Sequence, residues 1–223
     1  IQHVHTGTPV TQVERTANGV SLAGPSGPLG EFDEVVMAAH ADQTLAALKT
    51  PSAAEKQILG AFGYQANDAY LHTDASLMPK RRAVWSAWNH LTTQSIDGSD
   101  PVSVTYWMNR LQPLATDRDI FVTLNPLSPP DPAQVIHRQS YDHPVFDRAA
   151  MSAQTALTDI QGQERIWYCG SYHGYGFHED AFASAVRVAE RLGAPPPWTT
   201  NHIPASEPDP LITPAPLGAN ATP

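Results

Sequence analysis

The sequence predicts a mixed α/β fold with an antiparallel sheet inserted into it, and two observations support this. Near the end of the chain, an apolar strand at residues 166–169 enters a glycine-rich loop and then a helix of small residues at 181–192. In the middle, five strand-like runs follow one another, separated by polar or proline-rich connections, which is typical of an antiparallel sheet. The predicted fold class is therefore α/β (α+β).

The first sixty residues are predicted to form strands at 4–13, 20–22 and 33–38, and helices at 41–48 and 53–59. The first two strands alternate polar and apolar side chains around a turn with Asn18 and Gly19. The third is a continuous apolar run with β-branched residues at its centre, which indicates a buried strand. Pro51 ends the first helix.

The five strand-like runs lie at residues 69–73, 83–88, 102–108, 121–124 and 135–138, and a helix at 149–160 precedes the last strand. This order predicts three parts: one domain made from residues 1–50 and 149–194, a sheet domain at 51–148, and a tail at 195–223. The tail is rich in proline and without periodicity, so it is expected to bury little apolar surface.

The loop from Gly170 to Gly176 is the first candidate site. A strand that turns through glycines into a helix N-terminus gathers unpaired backbone N–H groups and the positive end of the helix dipole at one point. Glycine also lets another group approach the backbone closely. Such a point suits a phosphate, a carboxylate or the electron-rich edge of a cofactor ring.

The helix at 181–192 is predicted to be amphipathic. Its apolar stripe consists of Phe182, Ala185, Val186, Ala189 and Leu192, at spacings of three and four residues. Two interpretations follow from this pattern. The helix is either an ordinary one packed on a sheet, or one whose first turn also faces a cofactor.

The same region resembles the C-terminal flavin-binding segment of the amine-oxidase-like FAD-dependent oxidoreductases. Gly170 matches the family's strand-end glycine, Gly176-Phe177 its glycine–aromatic pair, and Glu179 and Ala181 the Glu and Ala that open the helix. Residues 32–40, 71–74, 77–79, 85–89 and 105–109 also resemble a subgroup of predicted bacterial NAD/FAD-binding proteins. The resemblance covers most of residues 1–198. It implies part of an FAD-binding domain of the amine-oxidase/glutathione-reductase-like type, with an inserted antiparallel sheet as substrate domain.

The resemblance also implies a cofactor, non-covalent FAD, which accepts a hydride from a C–H bond held against its ring. The cofactor-binding positions that it implies are Val10, Gly170, Ser171, Gly176, Phe177, Glu179, Asp180, Ala181 and Phe182. Val10 would pair through its backbone with the adenine edge. The N–H groups of Asp180 to Phe182 would lie near the N1–C2=O edge of the ring. Glu179 has a second interpretation, a first-turn acid that the helix dipole stabilises.

Three residues are candidates for catalysis: His173, Phe177 and His178. Phe177 falls where amine oxidases place a tyrosine or tryptophan, and a phenyl ring favours an apolar or lipid-like small-molecule substrate. His173 and His178 flank the loop and are candidate proton carriers, because imidazole titrates near neutral pH. A loop histidine bonded only to backbone is the alternative for each.

One absence sets the chain apart from the resembled family. No G-x-G-x-x-G occurs, whereas the family keeps this pyrophosphate cradle in its N-terminal third. The chain is therefore interpreted as a C-terminal portion that works with the missing N-terminal half of the same protein. The alternative is a truncated, non-catalytic binding or scaffold module that has lost the nucleotide cradle.

Composition excludes several other classes. A formal net charge of −9 and a pI near 5.4 give no electrostatic footprint for nucleic acid. The single cysteine, Cys169, excludes an internal disulfide framework and fits a reducing, cytoplasmic compartment. No apolar run approaches the ~18 residues of a transmembrane helix. No Cys-x-x-Cys or His-Glu-x-x-His spacing is present, so no metal site is expected.

Overall fold

The computed structural model describes residues 3–92 and 102–198, which form three sheets and five α-helices. The strands are β1 (Gln12–Arg15), β2 (Val20–Gly24), β3 (Gly27–Phe32), β4 (Val35–Met37), β5 (Gly63–His72), β6 (Trp88–Thr92), β7 (Val102–Trp107), β8 (Phe121–Leu124), β9 (Val135–Val145) and β10 (Ile166–Tyr168). The helices are α1 (Ala41–Ala47), α2 (Ala53–Leu59), α3 (Met108–Leu111), α4 (Arg148–Ala156) and α5 (His178–Arg191). The mixed fold with antiparallel sheets is confirmed.

Strands β4 and β10 form a parallel pair, although β5 to β9 lie between them in the chain. Val35 pairs with Ile166 and Met37 with Tyr168. These four side chains share one face and pack into the main core, where Met37 is only partly buried. Because the strands are parallel, their carboxyl ends meet at the same edge of the sheet.

The outer edge of β10 is covered. The Gly162 N–H donates to the Ile166 carbonyl at 2.9 Å, and the Ile166 N–H donates to the Gln163 carbonyl at 3.2 Å. The side-chain amide of Gln161 accepts from the Tyr168 N–H at 3.0 Å and donates to its carbonyl at 2.8 Å. The backbone groups that a further strand would use are therefore already satisfied.

The outer edge of β4 is open. The Val35 N–H donates to the Arg165 carbonyl and the Cys169 N–H to the Met37 carbonyl. Successive residues of a strand direct their backbone groups to alternate sides, so the N–H and C=O of Val36 point away from β10. No residue in the described ranges bonds to them, and Val36 is 43% exposed. A parallel strand can pair with this edge.

The main core joins the parallel pair to the meander β1–β3 and to the helices α1, α2 and α4. Its buried residues are Val13, Val20, Val35, Ala41, Leu48, Ile58, Leu59, Phe62, Ala150, Ala153, Leu157, Ile160, Ile166, Tyr168 and Tyr172. The meander is antiparallel, in the order β1-β2-β3. The core therefore combines elements from both ends of the chain with α2, which lies just beyond residue 50.

A hydrogen-bonded network around the buried Glu55 carboxylate connects three elements of this core. The Glu55 carboxylate accepts hydrogen bonds from the Arg15 guanidinium and the Tyr168 hydroxyl, and it also completes a capping box with Ser52 at the start of α2. Burial acts to raise the pKa of Glu55, but the hydrogen bonds from Tyr168 and Ser52 and the charge of Arg15 outweigh it and lower that pKa. Glu55 is therefore ionised at neutral pH. It links β1, α2 and β10.

The five-stranded sheet has the antiparallel order β6-β7-β8-β5-β9. On one face lie buried residues, most of them polar: His72, Ser103, Thr105 and Thr123, together with the aromatic Phe121. On the other face lie apolar and aromatic residues that are half-buried or exposed: Leu71, Trp88, Val104, Tyr106, Val122 and Leu124. Sheets with one solvated face usually bury the apolar side. Apart from Phe121, this sheet does the reverse, and we call it inverted.

The buried polar face is internally satisfied. The Asp74 N–H donates to His72 Nδ1 at 3.1 Å, so Nε2 carries the imidazole hydrogen and donates to the Thr123 hydroxyl at 2.7 Å. That hydroxyl lies 2.9 Å from the Thr105 hydroxyl. Burial lowers the pKa of His72, in agreement with a neutral ring. Trp85 packs edge-on against Phe121 and covers this face.

Most predicted elements are confirmed, although several differ in their bounds: β5 begins at Gly63 rather than 69, and β9 runs to Val145 rather than 138. Residues 83–88 are not a strand: a short 3-10 turn spans Arg82–Val84, because Trp85 folds back and its indole N–H donates to the Pro79 carbonyl at 2.7 Å. The strand predicted at 4–13 begins only at Gln12. The last helix begins at His178 rather than 181. The part of the predicted tail from residue 199 onward lies outside the described residues.

Candidate functional site

The carboxyl ends of β4 and β10 meet at Ala39 and Gly170. A Cβ on Gly170 would lie 3.6 Å from the Ala39 carbonyl oxygen and only 2.7 Å from the Tyr172 ring, with a φ of 153°. Glycine is therefore required at this close approach. Ala38 and Ala39 are exposed small residues. In open α/β sheets, ligands bind outside the carboxyl ends of the strands, and this edge is such a place.

The loop after Gly170 is folded tightly on itself. The His173 N–H donates to the Gly170 carbonyl at 3.2 Å. The N–H groups of Gly174 and Gly176 both donate to the Ser171 carbonyl, at 3.2 and 3.1 Å. Ser171 thus acts through its backbone, and the loop delivers the chain to the first turn of α5.

Asp180 caps the N-terminus of α5. One of its carboxylate oxygens accepts from the N–H groups of Tyr175 and Phe177, both at 2.9 Å, which is the backward half of a capping box. A Cβ on Gly174 would lie 2.3 Å from the Asp180 carboxylate, so only glycine leaves it room. Asp180 therefore has a structural role at the start of α5.

Three backbone amides at the start of α5 remain free. The N–H groups of His178, Glu179 and Asp180 have no acceptor among the described residues, whereas the Ala181 N–H donates to the Phe177 carbonyl at 3.3 Å. The first turn of a helix also carries the positive end of its dipole. His178 and Glu179 are exposed, so these donors face solvent in this chain.

Ser184 ties the helix to the strand end, and sequence reasoning missed it. Its buried hydroxyl accepts from the Gly170 N–H at 2.9 Å and donates to the Ala181 carbonyl at 2.7 Å. The start of α5 is thereby held against the end of β10. The only available signal was a polar residue among the small residues of the helix.

The apolar stripe predicted for α5 is not its buried face. Ser184 and Val188 are buried, whereas Phe182 is 50% exposed and Leu192 is also exposed. The prediction is wrong because the helix lies against the Gly170 turn through Ser184. Phe182 stacks instead on Trp198, with ring centroids 6.1 Å apart.

The predicted catalytic residues point in different directions. Phe177 is 60% exposed and His178 is exposed, both at the start of α5. His173 instead packs against Tyr172 and lines a cavity beside the later turns of α5. Burial first, and the charge of Arg187 second, lower its pKa to about 4, so the ring is neutral at neutral pH.

Val10 lies ahead of β1, with an exposed side chain, and no contact of the described residues joins it to the loop at Gly170. His40, which sequence reasoning did not select, follows the end of β4. Its ring stacks on Tyr64 at 4.5 Å, and its Nδ1 is buried without a partner among the described residues. The Tyr64 hydroxyl in turn accepts from the Ala41 N–H at 2.8 Å.

Comparison with known proteins decides the family. The sequence profile of flavin-containing amine oxidoreductases matches residues 2–193. The chain belongs to this family. A comparison with curated proteins finds no match.

Solved structures show the same fold at low sequence identity. A fatty acid isomerase from P. acnes that produces CLA is 12% identical with a TM-score of 0.54, over 83% of this chain and 47% of that one. A redesigned putrescine oxidase is 13% identical with a TM-score of 0.54, over 84% and 48%. A reduced UDP-galactopyranose mutase is 9% identical with a TM-score of 0.54, over 86% and 48%. The chain thus spans about half the length of these proteins.

The strand ends fit one part of a flavin. Small exposed residues at Ala38 and Ala39, the close backbone at Gly170 and the free amides of α5 suit a flat ring with an electron-rich edge. No glycine-rich phosphate cradle is present in the sequence. Over residues 3–92 and 102–198, no group of three His, Cys, Asp or Glu side chains is placed to hold a metal ion. No helix in those ranges is long and apolar enough to span a membrane.

Proposed function

We propose that the protein is an FAD-dependent oxidoreductase that takes a hydride from a C–H bond of a small apolar molecule. The observation that supports this most directly is the set of free amides at the start of α5, held beside the ends of β4 and β10 by Ser184. FAD, when bound, supplies the hydride acceptor. The residues of this chain bind and orient its ring.

In this proposal the amides of His178, Glu179 and Asp180 stabilise negative charge at the edge of the ring. They take the place predicted for Asp180 to Phe182, because the helix begins three residues earlier and Ala181 already donates to Phe177. Donors at a helix N-terminus are aligned before charge develops, so little reorganisation opposes the reaction. Phe177 would lie beside the ring and exclude water from it.

The inverted sheet supports an apolar substrate. Its half-exposed face carries valine, leucine and aromatic side chains, and Trp88 among them is 52% exposed. The six residues named above for this face include no carboxylate, lysine or arginine. Apolar faces of this kind are stabilised when a ligand or another domain covers them. We propose that this face forms one wall of the substrate site.

The open edge of β4 supports a missing nucleotide-binding segment. Parallel sheets occur almost only with further strands and with both faces covered, yet Val36 has free backbone groups and an exposed side chain. The solved structures named above are about twice as long as the matched part. We propose that the rest of the protein adds a parallel strand here and supplies the phosphate cradle.

The test uses the intact protein and its flavin absorbance. We expect the intact protein to contain bound flavin. We expect His178→Pro to weaken flavin affinity by about tenfold, because proline lacks the backbone N–H and one hydrogen bond to a charged acceptor is lost. Proline is tolerated at the first helical position, and the extended backbone of Phe177, with φ −84° and ψ 160°, accepts a following proline.

The matched control for this test is His178→Ala, which also lacks the imidazole but keeps the N–H. Equal affinities of the two variants would exclude a role for the amide. An intact protein that purifies without flavin, and does not take it up, would favour the alternative of a non-catalytic binding or scaffold module.

A further inference from the structure

A cavity lies between α4 and the later turns of α5, beside the turn that leads to the candidate site. It has a volume of about 130 Å³, well above the ~15 Å³ that one water needs by the same measure. Leu157 and Val188 form its apolar part. The polar residues that matter here are His173, Arg187 and Arg191, which converge on it from the loop and from α5.

The two arginines lack acidic partners. Arg187 and Arg191 are four residues apart, so both lie on one side of α5. Every ion pair found in the described ranges uses other basic residues, Arg15, Lys49, Arg82, Arg138 and Arg165. In a chain of net charge −9, two neighbouring guanidinium groups without a carboxylate form a local excess of positive charge.

His173 adds a third donor. Its Nε2 is buried without a hydrogen-bond partner among the described residues, which is a cost that native proteins seldom leave uncompensated. The titratable and charged groups around it are Arg187 and Arg191 from α5 and Tyr172 from its own turn. Both charges are positive, so they favour the neutral ring unless an anion lies between them.

We propose that this cavity binds a small oxyanion, a phosphate or carboxylate group, held by Arg187, Arg191 and the Nε2–H of His173. Guanidinium groups match the oxygens of both ligand types with paired N–H donors. A bound anion would satisfy the orphaned imidazole nitrogen and neutralise the arginine pair at the same time. The site is distinct from the proposed ring site, because it lies beside residues 184–191 rather than the first turn of α5.

Residues that line this cavity also bond to the turn that leads to the candidate site. Gln154, which lines the cavity, donates from its amide to the Tyr172 carbonyl at 3.1 Å and to the Gly174 carbonyl at 2.5 Å. His173 belongs to the same turn, and its N–H bonds the Gly170 carbonyl. An anion in the cavity would therefore fix the turn that precedes α5.

The test measures binding of inorganic phosphate and of acetate to the full chain at low salt, with the His173 ring followed by NMR. We expect saturable binding of at least one anion and a rise of the His173 pKa by about one unit. Arg187→Gln and Arg191→Gln should each weaken binding by about tenfold. Phosphate binding without acetate binding would identify a phosphate site, and the reverse a carboxylate site.

Arg148→Gln is the matched control, because Arg148 is an exposed arginine at the start of α4 that does not line the cavity. It should leave the affinity unchanged. An equal loss in all three variants would show non-specific attraction and overturn the proposal. So would a His173 resonance that neither anion shifts in a chain whose far-ultraviolet circular dichroism is native.

Discussion

The parallel pair β4–β10 and the five-stranded sheet bury their residues in opposite ways. The parallel pair turns Val35, Ile166 and Tyr168 into the core and leaves a backbone edge open at Val36. The antiparallel sheet satisfies its buried face with hydroxyl and imidazole groups and leaves an apolar face open. Within residues 3–92 and 102–198, the backbone groups of Val36 have no hydrogen-bond partner, and no element covers the apolar face of the five-stranded sheet.

This difference indicates what each region needs. An open strand edge is specific for another strand, because only backbone groups at the right spacing complete it. An open apolar face accepts many ligands, since burial of apolar surface has no directional requirement. The first feature therefore suits pairing with a further strand, and the second suits an apolar ligand.

The largest difference between the two regions is expected at their ion pairs. Glu55→Ala removes the buried carboxylate that accepts from Arg15 and Tyr168 in the parallel region, while Arg15 keeps its second ion pair with Glu164. It should lower the free energy of unfolding by about 3 kcal/mol, mainly because the buried Tyr168 hydroxyl loses its acceptor. Urea denaturation of the chain measures this. Arg138→Ala breaks the exposed pair with Asp68 in the sheet and should cost at most ~1 kcal/mol. Similar losses in both variants would contradict the distinction.

A smaller effect is expected inside the polar face of the sheet. Thr123→Val keeps the shape of the side chain but removes the acceptor of the His72 Nε2–H. We expect the free energy of unfolding to fall by about 1–3 kcal/mol, the cost of a buried unsatisfied donor. Thr92→Val, at the exposed end of β6, is the control. A stability gain at Thr123 would mean that the polar face is not needed for folding.

The smallest effect is expected on the apolar face. Trp88→Lys should lower the free energy of unfolding by about 1 kcal/mol, because the half-exposed indole loses its edge-on contact with Tyr106. It should also reduce the fluorescence of an apolar dye bound to the chain, since the open face loses its largest ring. Asn18→Lys, in the turn between β1 and β2, adds the same charge elsewhere. Unchanged dye binding at Trp88 would show that this face is not a ligand surface.

Elements with local signals were predicted well. The α2 helix spans Ala53–Leu59 as expected, because Ser52 and Glu55 form a capping box that the chain carries within four residues. Strand β8 matches at Phe121–Leu124. The strand–glycine–helix order around Gly170 was also predicted, since the glycine turn and the small residues of the helix are local features.

Features that depend on distant contacts were not predicted. The spacing of apolar residues in α5 placed Phe182 and Leu192 on the face predicted to be buried. The hydrogen bond from the Gly170 N–H to the Ser184 hydroxyl instead decides which side of the helix is buried. Alternation along β7 and β8 identifies which residues share a face, but which face is covered depends on Trp85 folding back from an earlier turn. The missed residues Ser184 and His40 have roles that only tertiary contacts create.

The side chain of Gln161 has a consequence for self-association. By occupying the Tyr168 backbone groups, it leaves the two-stranded sheet with a single reactive end. Fibre-like growth through a sheet requires each molecule to offer two complementary ends, so this pair can be extended once but cannot polymerise. Together with Gly162 and Gln163, which cover Ile166, this glutamine leaves only the β4 edge of the pair available to a further strand.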